Sequence, residues 1–254
     1  MLVSKSKTNS LDRLKREKKH LKVLLYRLLT LSSLGEESVK NQGSSRCMEL
    51  LYRNKAEGRL LLGRLIDYYL LRLPVSKATR ERRKTVIRLV EQHLPRKTLL
   101  YIPCGTASEL ATLARRHPDT TFIGMDLDVS HAKKRTKGLS NVKIYKKNAF
   151  DYKSYPVKKV DILLTIGLVD YLGLKETADF YKNLARFLTK GGVLITSTIG
   201  KHKHADSLMK EFADFTPVYK TEKDLRNCLV KAGFKCRVWR DDYTIHSFAI
   251  ARKK

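Results

Sequence analysis

A glycine, an acid and an amide follow three successive apolar runs of the sequence. Gly105 comes after TLLYIP, Asp126 ends TTFIGMD, and Asn148 follows NVKIYKK. A glycine after a strand lets the backbone approach a ligand, and the helix that follows offers unpaired N–H groups. An acid at a strand end can accept hydrogen bonds from both ribose hydroxyls of an adenosine ligand. The spacing predicts an adenosine site, with Asp128 as the alternative acid.

The missing glycines restrict the kind of adenosine ligand. A dinucleotide fingerprint that began at Gly105 would need further glycines at Ala107 and Leu110, and no Gly-Lys-Ser/Thr P-loop is present. The ligand therefore lacks a pyrophosphate, which S-adenosylmethionine satisfies. Taken alone, an acid at a strand end is as often a helix cap, and a lone glycine in a turn is common. Their combination at consecutive strand ends favours the site.

Two further residues follow the fourth apolar run, VDILLTI. The segment GLVDYL contains Asp170 and Tyr171, which are candidates for positioning a reaction partner. His202, His204 and His246 are weaker candidates, and the segment GKHKH around the first two is as well explained by a solvated loop. At the third strand end, we expect Asn148 and Phe150 to contact the adenine.

The elements that position these residues alternate between strands and helices after Pro95. Continuous apolar strands predict a parallel sheet covered on both faces, whereas the last two strands are too closely spaced for a crossover helix and must be antiparallel. The expected helices include 107–117, 175–192 and 221–232. The expected strands are 98–103, 120–126, 141–147, 160–166 and 193–199, followed by two around Tyr243. Gly191 or Gly192 is expected to end the helix at 175–192.

Helical patterns dominate the first part of the chain. Leucines recur at helical spacing over 11–31, a polar loop is expected at 35–46, and two helices at 47–72 and 77–94. Ser76 is the expected N-cap of the second of these helices. We predict a basic arm with an amphipathic helix over 1–46, a helical cap over 47–95 and a catalytic domain over 96–254. The cap is expected to cover the cofactor.

The composition of the chain limits the class of protein and the partners that it can bind. The chain has 53 Lys and Arg against 25 Asp and Glu, a net charge of +28, which favours RNA or an anionic membrane surface. A lysine-rich solvated surface is the equally weighted alternative. The four cysteines form no Cys-x-x-Cys pair, so neither structural zinc nor a disulfide framework is expected. We expect no metal site and a cytoplasmic location; no DNA-specific motif is present, and the oligomeric state stays open.

Together these motifs resemble those of class I S-adenosylmethionine-dependent methyltransferases. The similarity covers about 96–254 and rests on the order of LLYIPCGTASEL, FIGMDLD, KKNAFD, VDILLTIGLVDYL, LTKGGVLITSTI and the closing hairpin. It implies an α/β, Rossmann-like three-layer fold with a mostly parallel seven-stranded sheet in the order 3-2-1-4-5-7-6. Strand 7 is then antiparallel, and the helices before the sheet form an N-terminal extension.

The resemblance also implies which residues bind the cofactor. They stand at the ends of the first four strands: Tyr101, Pro103, Cys104, Gly105, Asp126, Leu127, Asn148, Ala149, Phe150, Gly167 and Leu168. Three features depart from the family pattern. Tyr101 replaces an acid of the first strand, Pro103 and Ala107 replace glycines, and Asn148 replaces an aspartate. We further expect Arg80 or Arg83 to pair with the methionyl carboxylate.

Three functions remain open from the sequence. The first is methyl transfer to an O, N or C nucleophile of an unidentified small molecule or lipid-like metabolite. The second is RNA methylation, which the charge favours, although no separate RNA-binding module and no Asn/Asp-Pro-Pro-Tyr/Phe motif is present. The third is a scaffold that binds S-adenosylmethionine or RNA without catalysis.

Overall fold

A computed structural model describes residues 10–41, 44–94, 97–201 and 217–253. The described residues divide into two units, one over 10–80 and the other over 81–201 with 217–253. The division falls inside the helix Pro74–Glu91.

The second unit is built on a seven-stranded sheet in the order β3-β2-β1-β4-β5-β7-β6. All neighbouring strands pair in parallel except β7, which is antiparallel to both β5 and β6. The expected fold class is confirmed. The strands are β1 Thr98–Tyr101, β2 Thr121–Asp126, β3 Val142–Lys146, β4 Val160–Ile166, β5 Leu188–Ile199, β6 Phe234–Arg240 and β7 His246–Lys253.

Helices cover both faces of this sheet. On one face, Phe180 and Leu225 pack on β4, β5 and β7, while on the other Val90 and Leu110 pack on β1, β2 and β4. The central strands are almost wholly buried, as their continuous apolar runs predict. The helices of this unit are the end of α6 (Pro74–Glu91), α7 Ser108–Arg116, α8 Ser130–Thr136, α9 Leu174–Leu184 and α10 Glu222–Lys231, with short 3-10 helices at Tyr152–Ser154, Leu168–Tyr171 and Ala185–Phe187.

The prediction of a helix over 175–192 is wrong at its end. Helix α9 ends at Leu184, and β5 begins at Leu188, which pairs with Val160 of β4. The strand register shifts before Val193, and Gly191 has a φ of +78° in this irregular stretch. The glycine pair thus forms a bulge in a strand, which the sequence pattern does not distinguish from a helix terminus.

The first unit is a set of short helices, several of which differ from the expected spans. The single helix at 11–31 is two helices, the helix at 47–72 is broken at Asn54 (φ +53°), and the expected loop at 35–46 contains a helix. Ser32 caps this third helix by accepting a hydrogen bond from the Gly35 N–H at 2.8 Å. The helices are α1 Ser10–Arg16, α2 His20–Leu29, α3 Ser33–Lys40, α4 Ser45–Arg53, α5 Leu60–Arg72 and the start of α6.

Ser76 is not the N-cap that the sequence predicts. Helix α6 begins two residues earlier, at Pro74, which suits the first turn of a helix because it has no N–H to leave unpaired. The Ser76 hydroxyl instead donates to the Leu70 carbonyl at 2.7 Å.

A buried aspartate holds the first unit together. The Asp67 carboxylate on α5 accepts hydrogen bonds from the Leu34 N–H at 3.0 Å, the Glu57 N–H at 2.8 Å and the Ser32 hydroxyl. One turn earlier, Gly63 lies so close to the backbone that an added Cβ would stand 2.2 Å from the Leu31 carbonyl oxygen. The inward face of α5 therefore carries an acid and a glycine beside the buried Leu71.

Candidate functional site

The first strand end and the second meet through one hydrogen bond. The Gly105 N–H donates to Oδ2 of Asp126 at 2.8 Å, while Oδ1 of the same carboxylate lies 3.3 Å from the Asp128 N–H. Asp126 thus stands at the carboxyl end of β2 and holds the loop that follows β1. An added Cβ at Gly105 would meet no atom within 4 Å, so the space beside the loop is open.

The loop after β1 is a tight turn despite having one glycine. Gly105 and Ala107 both have positive φ, +51° and +53°. The Ala107 N–H donates to the Cys104 carbonyl at 2.7 Å, and the Cys104 N–H donates to the Met125 carbonyl at 2.9 Å. Burial raises the pKa of the Cys104 thiol well above its usual value, so this side chain is a packing group and not a nucleophile. Tyr101 is buried in β1, and the Ile102–Pro103 peptide is cis.

The close helix–sheet packing that the third glycine of a dinucleotide fingerprint provides is supplied here by a glycine of β2. Gly124 of β2 has so little room that an added Cβ would lie 3.0 Å from both Leu110 Cδ1 and Cys104 Sγ, and 2.6 Å from Ile144 Cδ1. Helix α7 therefore approaches the sheet over a glycine of the strand, with Leu110 as the residue that packs there. Leu110, at the position of that glycine, is therefore compatible with close packing of α7 on the sheet.

The third strand end forms a turn held by local hydrogen bonds. Oδ1 of Asn148 accepts from the Phe150 N–H at 3.0 Å, and the Tyr155 hydroxyl donates to the Ala149 carbonyl at 2.6 Å. The Phe150 ring lies 5.5 Å from that of Phe180. The amide of Asn148 keeps its N–H donors for a base, and contact of this turn with adenine stays a prediction.

The fourth strand end places the two proposed catalytic residues differently. Asp170 is buried, and its Oδ1 accepts from the Ile199 N–H at 2.9 Å at the end of β5. Burial raises the pKa of this carboxyl, although the hydrogen bond and the charge of Arg82 oppose the rise. Tyr171, by contrast, is 48% exposed. Gly167 before them has a φ of +86° and open space beside it.

A buried lysine fixes this same turn, and sequence reasoning missed it. The Lys220 amine donates to the carbonyls of Val169 and Leu172, both at 2.7 Å, and of Val218 at 3.1 Å. Burial lowers its pKa. Since one more lysine attracts no notice in a chain so rich in them, the sequence carries no signal for this role.

The two arginines proposed for a carboxylate are engaged with protein groups. Arg83 donates from Nε to the Ser108 hydroxyl at 2.9 Å and from Nη2 to the Thr112 hydroxyl at 2.8 Å, which joins α6 to α7. Arg80 donates from Nη2 to the Leu71 carbonyl at 2.8 Å within the first unit. Pairing of either with a ligand carboxylate stays a prediction.

His246 begins β7 and is buried with an acidic partner. Its Nδ1 lies 3.0 Å from Oδ2 of Asp241, whose Oδ1 accepts from the Ile245 N–H at 2.8 Å. Burial lowers the pKa of His246 to about 4, against the raising effect of Asp241. At neutral pH the imidazole is therefore uncharged and can donate Nδ1–H to the carboxylate. His202 and His204 lie outside the described residues.

The structure thus brings the strand-end residues to one edge of the sheet. Gly105, Asp126 and Gly167 follow or end β1, β2 and β4, which are direct neighbours. Of the remaining candidates, Leu127 is 59% exposed and Leu168 packs partly on the core. Within the described ranges, no three His, Cys, Asp or Glu residues are grouped as metal ligands, and no helix has the length and apolar character to cross a bilayer.

Comparison with known proteins agrees with this fold. Residues 100–194 match the family model described as a methyltransferase domain. No curated protein matches the sequence. A solved structure from Bordetella parapertussis, described as a possible exported protein, has a TM-score of 0.78 at 21% identity and covers 100% of this chain and 99% of its own.

Two similar structures are methyltransferases solved with S-adenosylhomocysteine. Magnesium protoporphyrin IX methyltransferase from Synechocystis PCC 6803 has a TM-score of 0.57 at 16% identity, with 81% of this chain and 94% of its own covered. The N-methyltransferase NodS from Bradyrhizobium japonicum has a TM-score of 0.54 at 17% identity, with 74% and 91% covered. Residues 100–194 therefore carry a methyltransferase domain, and the strand order of the sheet is the one that the resemblance to class I S-adenosylmethionine-dependent methyltransferases implies. The cytoplasmic location remains a prediction.

Asp126 can be distinguished from Asp128 by cofactor affinity. We expect Asp126→Ala to weaken S-adenosylhomocysteine binding about tenfold to a hundredfold, because charge-assisted hydrogen bonds to the ribose and the support of the Gly105 loop are both lost. Asp128→Ala is the matched control. The Asp128 Oδ1 accepts from the Ser130 N–H at 3.0 Å in a local turn before α8, so the cofactor affinity of this variant should change less than about threefold. Calorimetric titration measures both, and a larger loss in Asp128→Ala would show that Asp126 is not the ribose acid.

The His246 pair makes stability depend on pH. Because the pKa of His246 is about 4 in the folded protein and about 6.5 when unfolded, the unfolded chain binds one more proton between these values. The free energy of unfolding should therefore fall as the pH drops from about 6.5 to 4, by up to about 1.4 kcal/mol per pH unit from this group. Denaturant unfolding at a series of pH values measures this free energy, and its dependence on pH should be shallower for His246→Gln. An unchanged slope, or an imidazole that titrates near 6.5 by NMR in the folded protein, contradicts this.

Proposed function

We propose that the chain transfers the methyl group of S-adenosylmethionine to a small or lipid-like acceptor at the end of β4. The observation that carries the proposal is the hydrogen bond between Gly105 and Asp126, which leaves open space beside the glycine and a carboxylate at the neighbouring strand end. An adenosine with a ribose but no pyrophosphate fits this arrangement, because the carboxylate binds hydroxyls and the single glycine allows close approach of the backbone.

The protein's own part in such a reaction is positioning. When bound, S-adenosylmethionine supplies a methyl group activated by its sulfonium sulfur, so the chain must hold the acceptor in line and exclude water. Asp126 holds the ribose, and the turn after β3 with Asn148 faces the base. Gly167 has open space beside it and follows β4, the neighbour of β1, which supports an acceptor position next to a cofactor at the loop after β1.

Asp170 and Tyr171 have separate tasks in this proposal. The buried Asp170 carboxyl fixes the end of β5 through Ile199 and acts as a positioning residue, whereas the exposed Tyr171 contacts the acceptor. A general base is required only where the acceptor holds its proton at the reacting atom.

Similar structures support a small acceptor. Those named above include a magnesium protoporphyrin IX methyltransferase, and a further one is CalO1, a methyltransferase of calicheamicin biosynthesis, with a TM-score of 0.53 at 15% identity. RNA is the second candidate acceptor, because the net charge of +28 favours binding of a polyanion.

Transfer of a labelled methyl group tests the proposal. Purified protein is incubated with S-adenosylmethionine carrying a tritiated methyl group and a cell extract, and the label is followed into organic-soluble, low-molecular-mass and RNA fractions. We expect label in the organic-soluble or low-molecular-mass fraction, resistant to ribonuclease and reduced in Asp126→Ala. Ribonuclease-sensitive label would support RNA methylation, and cofactor binding without transfer to any fraction would support the scaffold function.

The roles of Asp170 and Tyr171 predict that their variants lose methyl-transfer activity to different extents in the same assay. Asp170→Asn keeps an oxygen that can accept from Ile199 N–H, so we expect less than about a tenfold fall in rate, whereas Asp170→Ala should also lower the melting temperature. Tyr171→Phe should lower kcat/KM at least about tenfold with the cofactor Kd unchanged. A loss of about a hundredfold or more in Asp170→Asn, in the range of a removed general base, would place Asp170 in direct contact with the acceptor.

A further inference from the structure

The outward face of α5 is unusually apolar for a surface helix. Leu60, Leu61 and Leu65 are 78%, 74% and 57% exposed, and Tyr68 and Tyr69 are 53% and 66% exposed. Single exposed apolar residues are normal on proteins, but a contiguous set marks a contact surface. Among the described residues, most of the large exposed apolar side chains lie on α5 and on α2.

The packing of the first unit produces this orientation. Gly63, Asp67 and Leu71 face inward, where the acid bonds two N–H groups and the glycine meets backbone, so the side chains on the other face of the helix, including Leu61, Leu65 and Tyr68, point outward. Most of the apolar side chains of α5 thus face outward, and rotation of the helix to bury the leucines would break the Asp67 hydrogen bonds.

Helix α2 adds a second apolar face next to α5. Its leucines at positions i, i+3 and i+4, Leu21, Leu24 and Leu25, are 70%, 53% and 43% exposed. The Arg59 N–H, at the start of α5, donates to the carbonyl of Leu31, two residues after α2, at 2.8 Å, and the two helices are in contact.

Exposed arginines accompany these side chains. Arg27 on α2 and Arg59, Arg64 and Arg72 on or at the start of α5 are all exposed, and the Arg72 guanidinium lies 3.3 Å from the centre of the Tyr68 ring. This combination of large aliphatic side chains, tyrosine and arginine is typical of helices that lie in a membrane interface.

We propose that the face of α5 and the neighbouring face of α2 bind the surface of an anionic phospholipid bilayer. Charge selects this partner over a second copy of the chain, because two copies would bring the same arginines together. The leucines select it over RNA. Tyr68 and Tyr69 could stack on bases, but the exposed leucines, which make up most of this face, gain nothing from phosphates or from stacking. An anionic bilayer accepts both groups, with leucines in the acyl boundary and arginines at the phosphates. Binding of this face to a bilayer does not depend on which molecule accepts the methyl group.

Cosedimentation with vesicles tests the proposal. The full chain is mixed with vesicles of phosphatidylcholine alone or of phosphatidylcholine with about one third phosphatidylglycerol, and we expect binding chiefly to the anionic ones. Leu61→Gln with Leu65→Gln should weaken the partition coefficient about tenfold or more, because two exposed leucines no longer enter the interface. Arg59→Gln with Arg64→Gln should weaken binding to anionic vesicles by about thirtyfold at low salt.

A matched control removes apolar surface elsewhere. Leu174 and Val230 in the second unit are 50% and 48% exposed, and Leu174→Gln with Val230→Gln should leave vesicle binding unchanged. Circular dichroism melts confirm that each variant is folded. The proposal is overturned if the α5 leucine variant binds vesicles as the unchanged chain does. It is also overturned if the chain binds polyuridylate but no vesicles, or if the leucines only support a dimer in sedimentation velocity.

Discussion

The hydrogen bond from the Gly105 N–H to the Asp126 carboxylate is the constraint around which the candidate site of the second unit is arranged. It connects the loop after β1 to the end of β2, so the acid that we propose binds the ribose also fixes the backbone beside it. One oxygen of the carboxylate holds the loop and the other lies near the next turn. A ligand that binds this acid therefore meets a loop whose position is set before it arrives, which lowers the entropy lost on binding.

Buried polar side chains carry out a similar task at the other strand ends. Asp170 bonds the end of β5, Lys220 bonds three carbonyls of the turn after β4 and its neighbour, and Asp241 bonds the start of β7. Each satisfies backbone groups that strand and helix leave unpaired where the chain changes direction. Ionisable side chains that bond the protein itself thus hold these strand ends, and open space is left beside Gly105 and Gly167.

The sequence predicted the sheet and the strand ends well because both depend on local patterns. Apolar runs fix where strands lie, and residues that end them, such as Gly105 and Asp126, fall at one edge for any parallel sheet. The failures have long-range causes. The pair Gly191–Gly192 reads as a helix terminus, but pairing between β4 and β5 extends the strand through it. Neither Lys220 nor Asp67 could be recognised, because their partners lie far along the chain or on backbone atoms.

Gly124 changes the place in this fold where a residue without a side chain is needed. In the dinucleotide-binding fingerprint, a glycine at the start of the helix permits close contact of the helix with the sheet, so the loop motif itself must be rich in glycine. Here the strand supplies that room, and Leu110 and Cys104 pack over it. The loop Pro-Cys-Gly-Thr-Ala is therefore free of this steric requirement, which falls on Gly124, a strand residue that no loop signature includes. A search for related domains that relies on glycines of the loop alone will therefore miss those in which the packing glycine lies in the next strand, as Gly124 does in β2.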